Sequence, residues 1–237
     1  MMEIITDTLI CIAFAIIALK FKILDSGGTI FAVIIGGVIL FTKGLNWFAV
    51  LLIFLIFGAI VTKYKRNFKR KRLHEKPARR AMNVIANGLI PAVMAVFSIR
   101  YDFSVPFTAS ISVAMADTFA SELGVLSDNA YLITNFKKME PGTNGAISLL
   151  GEIVSIIGAG IISISGYFLL KLTLYEAILC MILGIFGCHI DSILGATFQG
   201  KYKGNINGED TILTNSDVNL ISVSIATLIA FVVIEVI

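Results

Sequence analysis

Eight apolar stretches leave this chain few ways to fold; they lie at residues 4–19, 28–42, 46–62, 81–99, 105–124, 146–170, 174–197 and 218–236. Several approach the roughly 20 residues that cross a bilayer as a helix. Lipid offers the backbone no hydrogen bonds, so each stretch must satisfy its own N–H and C=O groups, which means helix. Composition agrees: 57% of residues are hydrophobic and 15% charged, whereas soluble domains carry nearer a quarter. The expected fold is all-α, a polytopic transmembrane helix bundle of about 7–8 spans, some broken or kinked. Residues 1–237 form one integral membrane domain in this reading, with N-terminal spans at 1–62, a basic loop at 63–80 and a polar-bearing bundle at 81–237. The first stretch lacks a basic leader and a small-residue cleavage site, and reads as a permanent span. Gly36 and Gly37 predict a close helix contact or a break. Asn83, Asn87, Gly88 and Pro91 predict a kinked fourth stretch, re-entrant if it falls short of crossing.

Basic residues set the orientation. The loop KYKRNFKRKRLHEKPARR at 63–80 opposes many cations to a lone Glu75, so it is expected in the cytoplasm. Alternation places Lys20 and Lys22, the Lys137/Lys138 loop and the Lys201/Lys203 loop beside it. Lys43, Arg100 and Lys171 fall on the other side, as do both termini. The protein reads as a multi-pass protein of the cell membrane. The loop serves as a topology determinant and attracts anionic lipid. Its end, Arg79 and Arg80, leads into the Asn83/Asn87 helix, where it can reach a phosphate. No soluble module accompanies the charge, which argues against nucleic acid as a partner. Both a single chain and a homo-oligomer are compatible with the sequence.

Polar residues then fall at one depth. Asp117 lies about 10 Å inside the cytoplasmic end of its stretch, and Glu152, Asp191 and Asn87 at about 9 Å, by a rise of about 1.5 Å per residue. One such residue alone is explained by an interhelical hydrogen bond. Several ionisable groups at one level point to a functional cavity. Asn83 and Asn87 share a helix face, as do Asn215 and Asn219, and Gly187, Asp191, Gly195 and Gln199 form a further stripe. The glycines of that stripe would let a ligand or a backbone approach Asp191. Asp117 shares its face with Ser121 and Gly124. Glu122, five residues on, lies about 140° around the helix, so either the helix unwinds near Ser121 or the two carboxylates serve different partners.

Between the fifth and sixth stretches runs NFKKMEPGTNG, at 135–145. Lys137 and Lys138 supply cations, and PGTNG supplies a turn, free N–H groups and a hydroxyl before a helix start. That suits a phosphate, although a plain turn with solvated lysines reads equally well. The spacing of a P-loop is absent. His189 has no partner at zinc spacing and reads as packing or support for Asp191. Cys11, Cys180 and Cys188 read as buried thiols.

Cationic loops above intramembrane acids suit phosphoryl or nucleotidyl transfer to a lipid head group. Carboxylates would hold Mg²⁺, lysines and glycine-rich backbone the phosphates, and no covalent nucleophile is needed. The motifs NVIANGLIPA (83–92), ADTFASELG (116–124), GTNGAISLLGE (142–152), DSILGATFQ (191–199) and NSDVN (215–219) resemble, in this order, one integral membrane family. It is the family that contains plant phytyl-phosphate kinase. The resemblance covers most of the chain from about Arg79, and loosely the first three spans. A fainter likeness runs to CTP-dependent dolichol kinases and CDP-diacylglycerol synthases.

The resemblance implies a CTP-dependent kinase, or one using another nucleoside triphosphate, that converts a phytyl- or geranylgeranyl-type monophosphate to the diphosphate. The motifs give positions and charge suggests the roles: Asp117, Glu122 and Asp191 are assigned to metal, with Asp117, Asp191 and Lys138 catalytic. Lys138, Thr143 and Asn144 are assigned to nucleotide phosphates, together with Lys137, Ser121, Gln199, Arg79 and Arg80. Asn83, Asn87, Asn215 and Asn219 are assigned to head group or nucleotide. Two alternatives stay open: a CTP-dependent cytidylyltransferase acting on a lipid phosphate, and a secondary transporter. Transporters usually set their acids near the midplane between repeated halves, whereas these acids lie toward one face.

Overall fold

A computed structural model describes residues 2–20, 24–73, 81–199 and 212–236. The helices are α1 (Met2–Lys20), α2 (Ser26–Lys43), α3 (Leu45–Lys63), α4 (Arg66–Leu73), α5 (Ala81–Phe97), α6 (Ser104–Gly124), α7 (Leu149–Leu169), α8 (Leu174–Phe198) and α9 (Asn215–Val236). Apart from the short basic α4, they coincide with the eight apolar stretches. Five of them, α2, α3, α7, α8 and α9, are long and apolar enough to cross a membrane. Ile30, Ile34, Ile56, Ile60, Ile164 and Ile182 are exposed on the outer faces of the bundle, as lipid contact requires.

The central helix is α6, packed against α3, α5, α7, α8 and α9. It is buried almost continuously from Ser104 to Phe119, and this explains its sequence. A helix walled by other helices can carry hydroxyls if they are bonded. Thr108 donates to the Ser104 carbonyl at 2.8 Å, Ser110 to Phe107 at 2.6 Å, and Ser112 across to Ala159 of α7 at 3.3 Å. Glycines let the neighbours close in. A Cβ on Gly158 would lie 3.0 Å from the Met115 carbonyl, and one on Gly166 would lie 2.7 Å from the Thr108 methyl. The main apolar core joins Trp47, Phe48, Phe107, Ile111, Met115 and Phe119.

Helix α2 is unbroken. Gly36 packs on the Phe48 ring, where a Cβ would come within 2.8 Å, so the Gly-Gly pair serves contact. Helix α5 runs past Pro91 without interruption. Its start is bonded to the start of α9, where Ser216 donates to Asn83 at 3.0 Å. Its far end receives Lys43, whose Nζ donates to the Ser98 carbonyl at 3.0 Å. The fourth stretch therefore runs from one end of the bundle to the other.

Two elements were not anticipated: helix α4, which forms within the basic stretch read as a loop, and a sheet. The connection from α6 to α7 folds into a small antiparallel sheet of β1 (Ala130–Leu132), β2 (Lys138–Met139) and β3 (Ala146–Ile147), in the order β2-β1-β3. Tyr131 pairs with Lys138 on one side and Ile147 on the other. Three residues at positive φ shape the turns, Phe136 at 55°, Gly142 at 92° and Gly145 at 71°. The last two suit glycine, which has no Cβ to clash.

Candidate functional site

A cleft opens at the end of the bundle where α6 and α8 finish and α7 and α9 begin. Asp117 and Ser121 line it from α6, Glu152 from α7, His189 and Asp191 from α8, and Asn215 from α9. The turn at 141–145 contributes Thr143 and Asn144, and Gln199 lies just past α8. Asp117, Glu152 and Asp191 are partly buried. Helix α7 begins at Leu149 rather than 146, so Glu152 lies nearer the rim than its sequence depth suggests. The turn also does not open directly into α7, because β3 and Ser148 intervene. Ser148 caps α7 by accepting from Gly151 N at 3.1 Å and donates to the Gly124 carbonyl at 3.2 Å, joining the two helix ends beneath the sheet.

Close backbone contact holds the turn in place. A side chain on Gly145 would collide with Ala196 and the Ser192 carbonyl, and a Cβ on Gly195 would stand 3.1 Å from Gly145 N. The glycine stripe of α8 thus admits backbone: Gly195 meets the turn, and Gly187 meets Val113 of α6.

Asp191 has a built environment. With the Asn219 amide turned as its neighbours require, its nitrogen donates to Asp191 Oδ2 at 3.1 Å and to the Asn215 carbonyl at 2.8 Å. The Ser222 hydroxyl is shared between Asp191 Oδ2, at 3.3 Å, and the Asn219 carbonyl, at 3.0 Å. The Asn87 side chain lies 3.4 Å from the Asn219 amide. Across the cleft His189 Nε2 lies 3.1 Å from Glu152 Oε2, and its Nδ1 lies 2.8 Å from the Ile185 carbonyl.

The structure divides the sequence-predicted residues. Asp117, Ser121, Thr143, Asn144, Asp191, Gln199 and Asn215 share the cleft. Glu122 does not. Helix α6 continues unbroken to Gly124, so the turn angle carries Glu122 away from Asp117, and its carboxylate pairs with Lys69 of α4. Its assignment to metal is therefore corrected. Lys137 and Lys138 are exposed and absent from the cleft lining. The reason is the sheet, which puts Lys138 in the outer strand, separated from β3 by β1. Asn83 bonds Ser216 of α9, and Asn87 and Asn219 pack against each other between helices, so none of the three lines the cleft. Arg79 and Arg80 lie outside the described residues. Among the described residues no group of three His, Cys, Asp or Glu side chains forms a metal cluster.

Two features escaped the sequence. Ser222 lies three residues beyond Asn219, on its helix face, a spacing that could have flagged it. Lys69 is one lysine among many in a basic run, and nothing local distinguishes the one that is buried. Gln199 presents a different oddity. Its Nε2 is buried with no hydrogen-bond partner among the described residues. A buried unpaired donor costs about 1–3 kcal/mol. Gln199→Met, which removes the donor at similar length, is therefore expected to raise the midpoint of thermal unfolding of the ligand-free protein. A fall would show that the amide is satisfied.

A profile of the family described as "Integral membrane protein DUF92" matches residues 9–227. The uncharacterized membrane protein MJ0933 of Methanocaldococcus jannaschii is 34% identical over 234 residues, covering 97% of this chain and 93% of its own. Protein PGR of Arabidopsis thaliana is 30% identical over 251 residues, covering 86% of each chain. Protein VTE6, chloroplastic, of Arabidopsis thaliana is 27% identical over 221 residues, covering 87% of this chain and 64% of the plant protein. No solved structure matches.

Proposed function

The chain belongs to the integral membrane protein family DUF92, and from that premise we propose that it is a Mg²⁺-dependent kinase of prenyl monophosphates, using CTP or another nucleoside triphosphate. The observation that carries the proposal is the cleft, which sets Asp117 and Asp191 below a glycine-bearing turn at one end of a membrane bundle. The family resemblance to plant phytyl-phosphate kinase supports the reaction class. A phytyl or geranylgeranyl chain fits equally.

The donor chemistry suits Mg²⁺. Carboxylates, hydroxyls and carbonyls are hard oxygen ligands, and Mg²⁺ takes one or two carboxylates together with substrate phosphates rather than a closed protein cage. Asp117 and Asp191 are the residues that would hold the ion, and bound there it would neutralise phosphate charge. The turn at 141–145 and the start of α7 orient phosphate oxygens through backbone N–H groups. An oxygen of the lipid monophosphate attacks the γ-phosphorus of the nucleotide. The bond from that phosphorus to the β,γ-bridging oxygen breaks, leaving a lipid diphosphate and a nucleoside diphosphate. The apolar outer faces give the prenyl chain a route from the bilayer.

Lys69 supports a cytoplasmic site. Its contact with Glu122 puts basic α4 at the cleft end of the bundle. By the positive-inside rule that end faces the cytoplasm, where nucleotides are.

The test is product analysis on purified protein in lipid nanodiscs, with Mg²⁺, labelled CTP or ATP, and phytyl or geranylgeranyl monophosphate. A prenyl diphosphate with CDP or ADP is expected. Pyrophosphate with a CDP-lipid would establish a cytidylyltransferase instead. Substrate accumulation in proteoliposomes without conversion would establish a transporter.

A further inference from the structure

Asn219 and Ser222 belong to α9, yet both direct hydrogen-bond donors at a carboxylate oxygen of α8. The Asn219 nitrogen reaches Asp191 Oδ2 at 3.1 Å and also holds the Asn215 carbonyl at 2.8 Å. The Ser222 hydroxyl reaches the same Oδ2 at 3.3 Å. Both side chains are buried, Asn219 at 6% exposure and Ser222 at 1%, so neither is available to a ligand in the cleft. Behind them Asn87 of α5 lies against the Asn219 amide at 3.4 Å, and Ser216 bonds Asn83 one turn nearer the helix start. The amides that resemble ligand contacts in the sequence therefore pack between α5 and α9, and Asn219 turns its nitrogen from there to Asp191.

A carboxylate on one helix is free to rotate about two side-chain bonds. Donors fixed on a second helix remove that freedom. Partners that orient a ligating group in this manner typically account for about 10- to 100-fold in metal affinity or activity.

We infer that Asn219 and Ser222 are positioning residues that fix Asp191 Oδ2 and so aim the carboxylate at a divalent cation in the cleft. The inference rests on the metal role proposed above for Asp191. It differs in predicting a loss from two buried residues that touch neither cation nor substrate.

The test uses Mn²⁺ as the probe, with binding to the full chain in detergent read from loss of the free-ion electron paramagnetic resonance signal. Thermal unfolding is followed in parallel. Asn219→Leu is expected to weaken Mn²⁺ about 10- to 100-fold and to lower kcat, leaving the KM for prenyl monophosphate unchanged. Ser222→Ala should give a smaller loss, because its hydroxyl is shared, and Ser222→Thr should restore it. That pair carries the test if Asn219→Leu does not fold. Wild-type Mn²⁺ affinity in folded Asn219→Leu, or in Ser222→Ala, overturns the inference and leaves the metal role of Asp191 standing. Wild-type affinity in Asp191→Asn overturns that role and the inference with it. Weakened Mn²⁺ binding in these variants, in a protein that forms no prenyl diphosphate, supports the inference while the kinase reading fails.

Discussion

Asp191→Asn and Asp117→Asn are each expected to lower kcat for prenyl diphosphate formation on the order of 10³-fold or more, about 4 kcal/mol of transition-state stabilisation. Asparagine keeps the shape of aspartate and one acceptor oxygen, so in Asp191→Asn the donors on Asn219 and Ser222 still find a partner. What the variants lose is a negative oxygen that would hold the divalent cation. Stability should change little, and thermal unfolding run beside the assay checks it. The size of the effect follows from phosphoryl transfer itself, in which positioning and charge neutralisation do nearly all the work. Either variant turning over like wild type would remove its aspartate from the metal site.

The legible part of this protein was its helices and one end of its site. Apolar length alone marked α1, α2, α3, α5, α6, α7, α8 and α9, because lipid forces helix wherever such a run occurs. Depth counting brought Asp117 and Asp191 to one level, because rise per residue is fixed and helix ends in a bundle are roughly level. The wheel separated Glu122 from Asp117 for the same reason, leaving open only whether the helix broke. Contacts that depend on how a loop folds were not legible. Lys138 looked adjacent to Thr143 and Asn144 in the chain, but two-residue strands carry too little pattern to announce a sheet, and the sheet places it in the outer strand. The amides were legible as residues but not as a role. Spacing put Asn83 with Asn87 and Asn215 with Asn219, and only helix packing decides whether such a face meets a ligand or another helix.

The other large effect is expected at Lys69. Its ammonium donates to the Val61 carbonyl at 2.7 Å and the Thr62 carbonyl at 3.0 Å, at the C-terminal end of α3, and pairs with Glu122 of α6. A lysine at a helix C-terminus meets both unsatisfied carbonyls and the negative end of the helix dipole. Its side chain is 4% exposed and that of Glu122 is 24%, so water replaces little of what is lost. Lys69→Met keeps most of the chain length and removes the charge, which strands a carboxylate and two carbonyls. Breaking a buried pair in this way costs about 3–5 kcal/mol. The lower end applies here, because Glu122 can turn partly toward solvent. Glu122→Leu in the Lys69→Met background removes the stranded carboxylate and should recover part of the loss, a coupling of about 0.5–3 kcal/mol in a double-mutant cycle. Unfolding in detergent measures all four proteins. Stability of Lys69→Met within about 0.5 kcal/mol of wild type, the range of an ordinary surface change, would show that the clip is not formed. Turnover separates the two acids of ADTFASELG. Glu122→Gln should be less stable yet still convert substrate, since its carboxylate lies outside the cleft, whereas Asp117→Asn should stay folded and fail to turn over.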